Sequence, residues 1–343
     1  MKKIYLIIGL ILLVLLGCLI FVHKPREVDS SLTSVRIGYN TESLTNASII
    51  IAYEQGYFQE YGLSPQMIPL KSGREVMQAL AAGQVDIGIG GFPNFMQAMV
   101  KGAPLRFIAA SASSPSYVFV RPNENLNKLT DLYGKIISVS TSGVNDLVFR
   151  TVMDEEKIDT EKMEFADIER SYLIAALINK KAVDATVVSE QDTNMLLNAG
   201  AVLLPEWVEK GYDQETVPRN SIVANSGFLN QQETAAENFL NALIDAHRLI
   251  KEAPEEAAEL LSEHIKAGSG GAVVRLPADI VKQWKNGEIT NMIWQDPNIT
   301  MELVRKAEEI GIIERELSLE EVFDLRFADK LKTAQTEIYG TTD

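Results

Sequence analysis

Ser140-Thr141-Ser142-Gly143 places three hydroxyls and a glycine ahead of a stretch with Val144, Leu147, Val148 and Val152 on one helical face. A helix N-terminus exposes free N–H groups and carries about half a positive charge, so such a segment can hold an anion without lysine or arginine. The same residues also serve as ordinary N-caps, and the two uses are compatible. Four other short segments suit a small polar solute. Tyr39-Asn40-Thr41-Glu42 offers an aromatic cover, an amide, a hydroxyl and a carboxylate. Gly90-Gly91-Phe92-Pro93-Asn94 lets backbone approach a ligand closely, with Phe92 as a wall or stacking surface. Ser111-Ala112-Ser113-Ser114 supplies small hydroxyl donors. Ser189-Glu190-Gln191 adds a carboxylate that suits an amine, a pyrimidine N–H or a zwitterion. Tight turns, strand-end packing and solvated side chains are the structural alternatives at these four segments.

This is chemistry for holding a molecule, not for breaking one. No segment brings together Ser-His-Asp, Cys-His or a close carboxylate pair, so no catalytic residue is assigned. His23, His247 and His264 are far apart, with no Cys, Asp or Glu at ligand spacing, so neither a metal nor a cofactor is expected. His247 shares the apolar side of a helix with Phe239, Leu243, Ile244 and Ile250 and is expected in the core. Trp284 and Trp294 are expected to pack. A formal net charge of −15 argues against a nucleic-acid partner and against binding an anionic surface by charge.

The elements that must position these segments alternate in period between two and 3.6. Strands are expected at Val35–Tyr39, Leu63–Leu70, Val85–Ile89 and Leu105–Ala110, with helices over Ile49–Tyr61, Arg74–Ala82 (closed by Gly83) and Asn94–Lys101. After an extended Tyr117–Arg121 the pattern restarts. Strands Lys135–Ser140, Met163–Ile168, Asp184–Ser189 and Val202–Leu204 interleave with the Val144 helix, Tyr172–Asn179 and Gln191–Asn198. Such alternation implies parallel βαβ units. Ser221–Ala224 is extended once more, and helices follow at Glu233–Lys251, Pro254–Lys266, Ala278–Trp284 and Met301–Ile310. A helical tail without its own sheet needs a surface to cover. Sending it back onto the first lobe gives an α/β protein of two lobes, residues 34–116 with 222–335 and residues 117–221, joined by crossovers near Tyr117–Arg121 and Ser221–Ala224. Ligands sit beyond the carboxyl ends of strands in open α/β sheets, and the five segments above are such ends. A cleft between two such lobes can close by hinge motion.

The chain opens with Lys2 and Lys3, then an apolar run from Ile4 to Val22 that holds the sole cysteine, Cys18. Positive n-region and apolar h-region are the pattern of a secretory signal. Leu15-Leu16-Gly17-Cys18 resembles a bacterial lipobox, which makes Cys18 a lipidation candidate. The run is also close to the ~20 residues a membrane-spanning helix needs, so an uncleaved anchor is the other reading. Both put the body outside the cytoplasm, tethered through residues 23–33. With no further cysteine, a hydrophobic core must hold that body without disulfides.

Ala52-Tyr53-Glu54-Gln55-Gly56-Tyr57-Phe58-Gln59-Glu60-Tyr61-Gly62-Leu63 resembles the A-x-E-x-G-[FY]-F-x-x-x-G-L segment of solute-binding proteins of nitrate, sulfonate, taurine and thiamine-pyrimidine ABC importers. Ala81-Ala82-Gly83-Gln84-Val85-Asp86-Ile87-Gly88, Leu129 to Lys135, and Ala175-Ala176-Leu177 through Val183-Asp184-Ala185 are similar to further segments of that family, in the same order. The likeness runs from about Val35 to Ala258. Where relatives tend to carry glycine, this chain has Lys180-Lys181, a departure expected to cost little at a solvated helix end. The resemblance implies a type II periplasmic-binding-protein fold that captures a small anionic or zwitterionic solute (sulfonate, taurine, nitrate-like or pyrimidine) and hands it to an ABC permease. A monomer is expected. Ligand contacts are expected from Tyr39, Asn40, Thr41, Gly91, Phe92, Ser111, Ser113, Ser140, Thr141, Ser142, Gly143 and Glu190. On the same fold a surface sensor or interaction module is the alternative, and a dehydratase-type enzyme is a further one that the export segment opposes.

Overall fold

The computed structural model describes residues 32–340, apart from 123, 215–216 and 272. Cys18, the apolar segment 1–22 and tether residues 23–31 lie outside the described residues. Among those described, no helix is long and apolar enough to cross a membrane.

The first sheet begins with β1 (Thr33–Asn40), α1 (Ala47–Gln55), the one-turn α2 (Tyr57–Glu60) and β2 (Leu63–Leu70). It continues through α3 (Gly73–Ala81), β3 (Ile87–Gly91), α4 (Phe92–Val100) and β4 (Leu105–Ser114). The single helix expected over Ile49–Tyr61 is broken at Gly56, whose φ of 81° ends α1 in a left-handed cap. At α3 the Ser72 hydroxyl accepts the Glu75 N–H (3.3 Å) while the Glu75 carboxylate accepts the Lys71 N–H (3.0 Å), which explains a sharp start.

A second sheet follows, from β5 (Ser116–Val120), β6 (Ile136–Ser138), α5 (Val144–Glu155) and β7 (Glu164–Ala166). Single turns at Arg170–Tyr172 and Ala175–Asn179 lead to β8 (Ala185–Ser189), α6 (Glu190–Asn198), β9 (Val202–Leu203) and α7 (Pro205–Glu209). The chain then returns as β10 (Val217–Asn225) and runs through α8 (Ser226–Gln231), α9 (Glu233–Glu252), α10 (Pro254–Gly268) and α11 (Pro277–Lys285). It ends with β11 (Thr290–Asn291), α12 (Pro297–Glu309), α13 (Leu319–Val322) and α14 (Ala328–Tyr339).

Strand orders are β11-β4-β10-β3-β1-β2 and β7-β6-β8-β5-β9. The expected parallel pairing holds for β1 with β2 and β3, and for β6 with β7 and β8. β5 and β10 run antiparallel to their neighbours. The reason is topological: β1 to β4 run toward the second sheet, so a strand that starts at the junction must run away from it. Pro115 alone separates β4 from β5, and β10 begins at Val217. Both segments expected as crossovers are therefore strand: Tyr117–Val120 lies in β5, and Ser221–Ala224 lies in the middle of β10.

Alternating side chains of β10 feed two cores, Ile222 and Ala224 on one face and Val223 on the other. The tail covers the first of these faces. On α9 the positions Ala236, Phe239, Leu240, Leu243, His247 and Ile250 recur at helical spacing and are all buried. Phe239 stacks on Phe58 of α2 at 5.3 Å between ring centres. The second sheet has its own core around Ile137, Phe149 and Trp207, with Phe149 stacked on Trp207.

His247 is fully buried, with Nδ1 2.8 Å from the Tyr339 hydroxyl, and burial pushes its pKa down to about 3. Folded, it stays neutral, whereas the unfolded chain takes up a proton below about 6.5, so stability present above that pH is lost as pH falls. Urea unfolding should show the wild type losing stability beyond His247→Gln by about 1.6 kcal/mol in all between pH 6.5 and 5, the slope steepening toward about 1.4 kcal/mol per pH unit. Equal slopes in the two proteins would remove His247 as the cause. Lys181 occupies the glycine-favoured position noted above with φ 53°, exposed to solvent. Lys181→Gly should raise the unfolding free energy by about 1 kcal/mol, because a side chain there costs roughly that much in the left-handed region. A loss of stability on the same measurement would refute the strain.

Candidate ligand-binding site

The carboxyl ends of β1, β3, β6 and β8 meet between the two sheets around a cavity of about 200 Å³. One wall comes from the first lobe: Asn40, Ser43 and Thr45 after β1, Gly73 at the start of α3, and Ile89, Gly90, Gly91 and Asn94 where β3 becomes α4. The facing wall comes from Ser140, Gly143, Val144 and Asn145 at the start of α5, and from Ser189, Glu190 and Gln191 at the start of α6. Arg219 and Asn220, at the point where β10 enters, complete the lining.

Gly91, Gly143 and Ser189 are the N-caps of α4, α5 and α6, and none of them caps its helix with a side chain. The N-terminal ends of three helices thus line one cavity, and their dipoles favour negative charge there, though Pro93 brings no N–H to the first turn of α4 and the Glu190 carboxylate takes its own N–H in α6. Glycine at the junctions permits the convergence. A Cβ on Gly91 would sit 3.1 Å from Val144 Cγ2, and one on Gly90 would sit 3.4 Å from Gly73 Cα.

The strongest charge at the site is Arg219, which is 5% exposed. Its Nε–H donates to Ser114 Oγ (2.8 Å), Nη1 to Asn145 Oδ1 (2.7 Å), and Nη2 to Ser116 Oγ (2.8 Å) and to the Pro115 carbonyl. Four of the five N–H donors of a guanidinium are therefore used. Burial lowers the Arg219 pKa to about 10, so the group is still cationic at neutral pH. Ser114 passes the interaction on: its hydroxyl donates to Glu190 Oε2 at 2.6 Å. Glu190 is itself buried. Desolvation raises its pKa, and Arg219 and the Ser114 hydroxyl work in the opposite direction. Arg219, Ser114 and Glu190 form one relay in which each buried charge is satisfied by a neutral hydroxyl.

Amides line the rest. Asn145 accepts at Oδ1 from Arg219 and from Ser116 (3.1 Å), which leaves its Nδ2 donor for the cavity. Asn220 donates to Thr45 Oγ1 (2.7 Å) and Asn46 Oδ1 (2.9 Å), and Asn46 donates to the Asn40 carbonyl (2.7 Å). Among the described residues the lining has no aromatic ring, and its apolar side chains are Ile89 and Val144.

Of the residues expected to meet a ligand, Asn40, Gly91, Ser140, Gly143 and Glu190 line this cavity. The others do not. Strand alternation turns Tyr39 to the opposite side of β1, where its hydroxyl lies 2.8 Å from His264 Nε2, and His264 Nδ1 lies 2.6 Å from Glu54. Tyr39 and Thr41 border a separate cavity of about 480 Å³ there. Phe92 is fully buried among the residues that pack α4 on the sheet. Ser111 donates to the Thr45 carbonyl (2.6 Å) and so supports the lining from behind, while Ser113 is held in the ladder between β10 and β11. Thr141 is exposed, and its carbonyl accepts from Arg74 at 3.2 Å. Ser142, at φ 61°, spends its N–H on Asp146 (2.7 Å). The hydroxyl trio of that loop diverges, and Ser140 alone of the three lines the cavity.

Sequence reasoning missed Ser43, Thr45, Gly73, Asn145, Arg219 and Asn220. The signal for Arg219 was present: Pro218-Arg219-Asn220 puts a cation directly ahead of the apolar Ser221–Ala224 strand, where a side chain on the core-facing alternation must be buried. Urea unfolding of Arg219→Gln should show a loss of about 3–5 kcal/mol, since Glu190 is left buried without its cation. Adding Glu190→Gln should recover part of it, with a coupling of about 1–3 kcal/mol. Strict additivity of the two losses would show that the relay does not couple them.

Residues 44–257, more than half of the chain, match the family model described as NMT1/THI5 like. A putative thiamine biosynthesis protein of Haemophilus influenzae is 28% identical over 216 residues, 62% of this chain and 67% of that protein. The formylaminopyrimidine-binding protein of Halalkalibacterium halodurans is 20% identical over 219 residues, 62% of this chain and 64% of its own. Among solved structures, the periplasmic aliphatic sulphonate binding protein SsuA of Escherichia coli superposes with a TM-score of 0.67 at 15% identity, covering 86% of this chain and 92% of that one. The periplasmic nitrate-binding protein NrtA of Synechocystis PCC 6803 gives 0.69 at 15% identity, with coverage of 88% and 89%. The fold is that of the two-lobed periplasmic binding proteins.

Proposed function

The chain belongs to the NMT1/THI5-like family, and on that footing we propose that it is the extracytoplasmic solute-binding component of an ABC importer. It captures a small solute between its lobes and delivers it to a membrane permease. The observation that carries the reading is the cavity itself: a buried guanidinium with four of its five donors used and three helix N-termini on the walls of one interlobe space. Such a wall holds an anionic group through N–H donors. The Glu190 carboxylate lines the same space and suits an ammonium or N–H donor on the ligand's other end, which favours a zwitterion over a simple anion. With about 200 Å³, below the ~300 Å³ at which drug-sized sites begin, the solute has only a few heavy atoms. Among the described residues the lining has no aromatic ring, so it offers a pyrimidine no surface to stack on, which counts against a pyrimidine as the solute. The apolar leader and Cys18 would keep the body at the membrane surface near its permease.

Thermal-shift measurements on the full chain test the reading, with taurine, short alkanesulfonates, nitrate, small amino acids and a formylaminopyrimidine. A ligand at a hundred times its dissociation constant adds about 2.7 kcal/mol to the native state. Stabilisation by a small zwitterion or anion, reduced at least tenfold in apparent affinity by Asn145→Ala, is the expected result. Stabilisation by the pyrimidine alone would overturn the assigned solute class. Silence across the panel would favour a sensor or interaction role on the same fold.

A further inference from the structure

Among the described residues, three ion pairs cross from one lobe to the other. Arg170 stands on the second lobe, behind the Asn40–Glu42 and Gln191 rim of the cavity. Its Nη1 donates across to Glu42 Oε2 at 2.8 Å, its Nε donates to Asp192 Oδ1 on its own side, and its Nη2 reaches the Gln191 carbonyl at 3.4 Å. The Glu42 N–H in turn donates to Asn40 Oδ1 at 2.9 Å. Asn40 and Gln191 line opposite walls. Arg74, next to the lining residue Gly73, makes a similar reach elsewhere on the rim: Nη2 donates to the Thr141 carbonyl at 3.2 Å and lies 3.6 Å from Asp167 Oδ2. Behind the cleft, Lys306 of α12 pairs with Asp154 of α5 at 2.6 Å.

We propose that Arg170 is a positioning residue for this site. It does not line the cavity. It ties Glu42 to the buried Asp192 and so holds the Asn40 wall against the Gln191 wall, with Arg74 and Lys306 completing an ionic latch that sets the closed population before any solute arrives. A planar fork suits the task because one guanidinium can serve two carboxylates in different directions. The Arg170 and Glu42 side chains are 32% and 38% exposed, so salt screens the cross-lobe bond, while Asp192, at 7%, is screened less. The latch goes beyond solute capture and does not depend on which solute the cavity takes.

Hydrogen–deuterium exchange on the full chain, without ligand, reads the latch directly. The reporters are peptides spanning Asn40–Asn46 and Ser140–Leu147, with α9 as internal reference. Glu42→Gln leaves Arg170 on Asp192 and removes the carboxylate that Arg170 reaches across the lobes, a charge that also faces Arg275. It should speed exchange at the reporters by roughly 2- to 5-fold, as expected for one half-exposed ion pair. Arg170→Gln should do at least as much, and Arg170→Lys should fall between it and the wild type. Salt at about 1 M should speed the wild type at least as much, and should speed Arg170→Gln less than it speeds the wild type, because only the Arg74 and Lys306 pairs are left to screen. Unchanged reporters in Glu42→Gln would overturn the proposal. So would a rise matched in α9, which would mean general destabilisation, or a rise confined to Arg170→Gln, which would mean a local effect of exposing Asp192.

Discussion

A guanidinium taken out of water must be met on several sides, and the way Arg219 is met organises the molecule. Its partners are Ser114 Oγ, the Pro115 carbonyl and Ser116 Oγ, all at the point where the chain leaves the first sheet for the second. Arg219 itself sits where the chain comes back, near the start of β10. One side chain therefore staples both connections. Its remaining bond, to Asn145, fixes the start of α5, and through Ser114 it reaches Glu190 at the start of α6. Desolvating two opposite charges is costly unless hydrogen bonds complete each of them, and here each is completed by residues of the junction. The requirement to satisfy these charges keeps two helix N-termini aimed at one space.

The glycines set how narrow that space is. Gly73, Gly90 and Gly91 let the start of α3, the end of β3 and Val144 of α5 come within van der Waals distance. With the walls so close, a solute meets backbone N–H groups and short amide side chains instead of long flexible ones, and little side-chain entropy is lost on binding. The charge balance follows from the same geometry. Helix termini and Arg219 give a positive bias, Glu190 a local negative one, and the chain's overall charge of −15 resides elsewhere.

Closure and recognition are physically separable. Groups at the centre of the cavity are buried and governed by hydrogen-bond geometry, whereas Glu42, Arg170, Arg74 and Asp167 at the rim are half-exposed and governed by screened Coulomb attraction. A protein that must bind and release needs weak, adjustable contacts at the rim and strict ones inside. The arrangement supplies both with residues one or two positions apart, Asn40 with Glu42 and Gln191 with Asp192.

Much of this was legible in the chain. Hydrophobic periodicity located most strands and helices of both lobes, though not, for instance, α7, α13 or α14, and its Tyr172–Asn179 helix is two short turns. The Ser72 and Gly56 signals explain where helices begin and break, and the rule that ligands sit beyond strand carboxyl ends pointed to Asn40, Gly91, Ser140, Gly143 and Glu190. Periodicity is local, and these are consequences of local physics. Which way a side chain faces is not. Tyr39 and Asn40 are neighbours on β1, yet packing of the sheet against α10 sends one toward His264 and the other to the cavity, and Phe92 goes to the core because α4 buries that face. Pro218-Arg219-Asn220 ahead of an apolar strand marks Arg219 as a cation to be buried, but its neighbours do not say by what, since the groups that meet it lie about a hundred positions away at Ser114–Ser116. The sequence determined the elements and the ends of strands where a solute could lie. Tertiary structure decided which side chains reach it, because burial and hydrogen-bond satisfaction are properties of segments brought together by the fold.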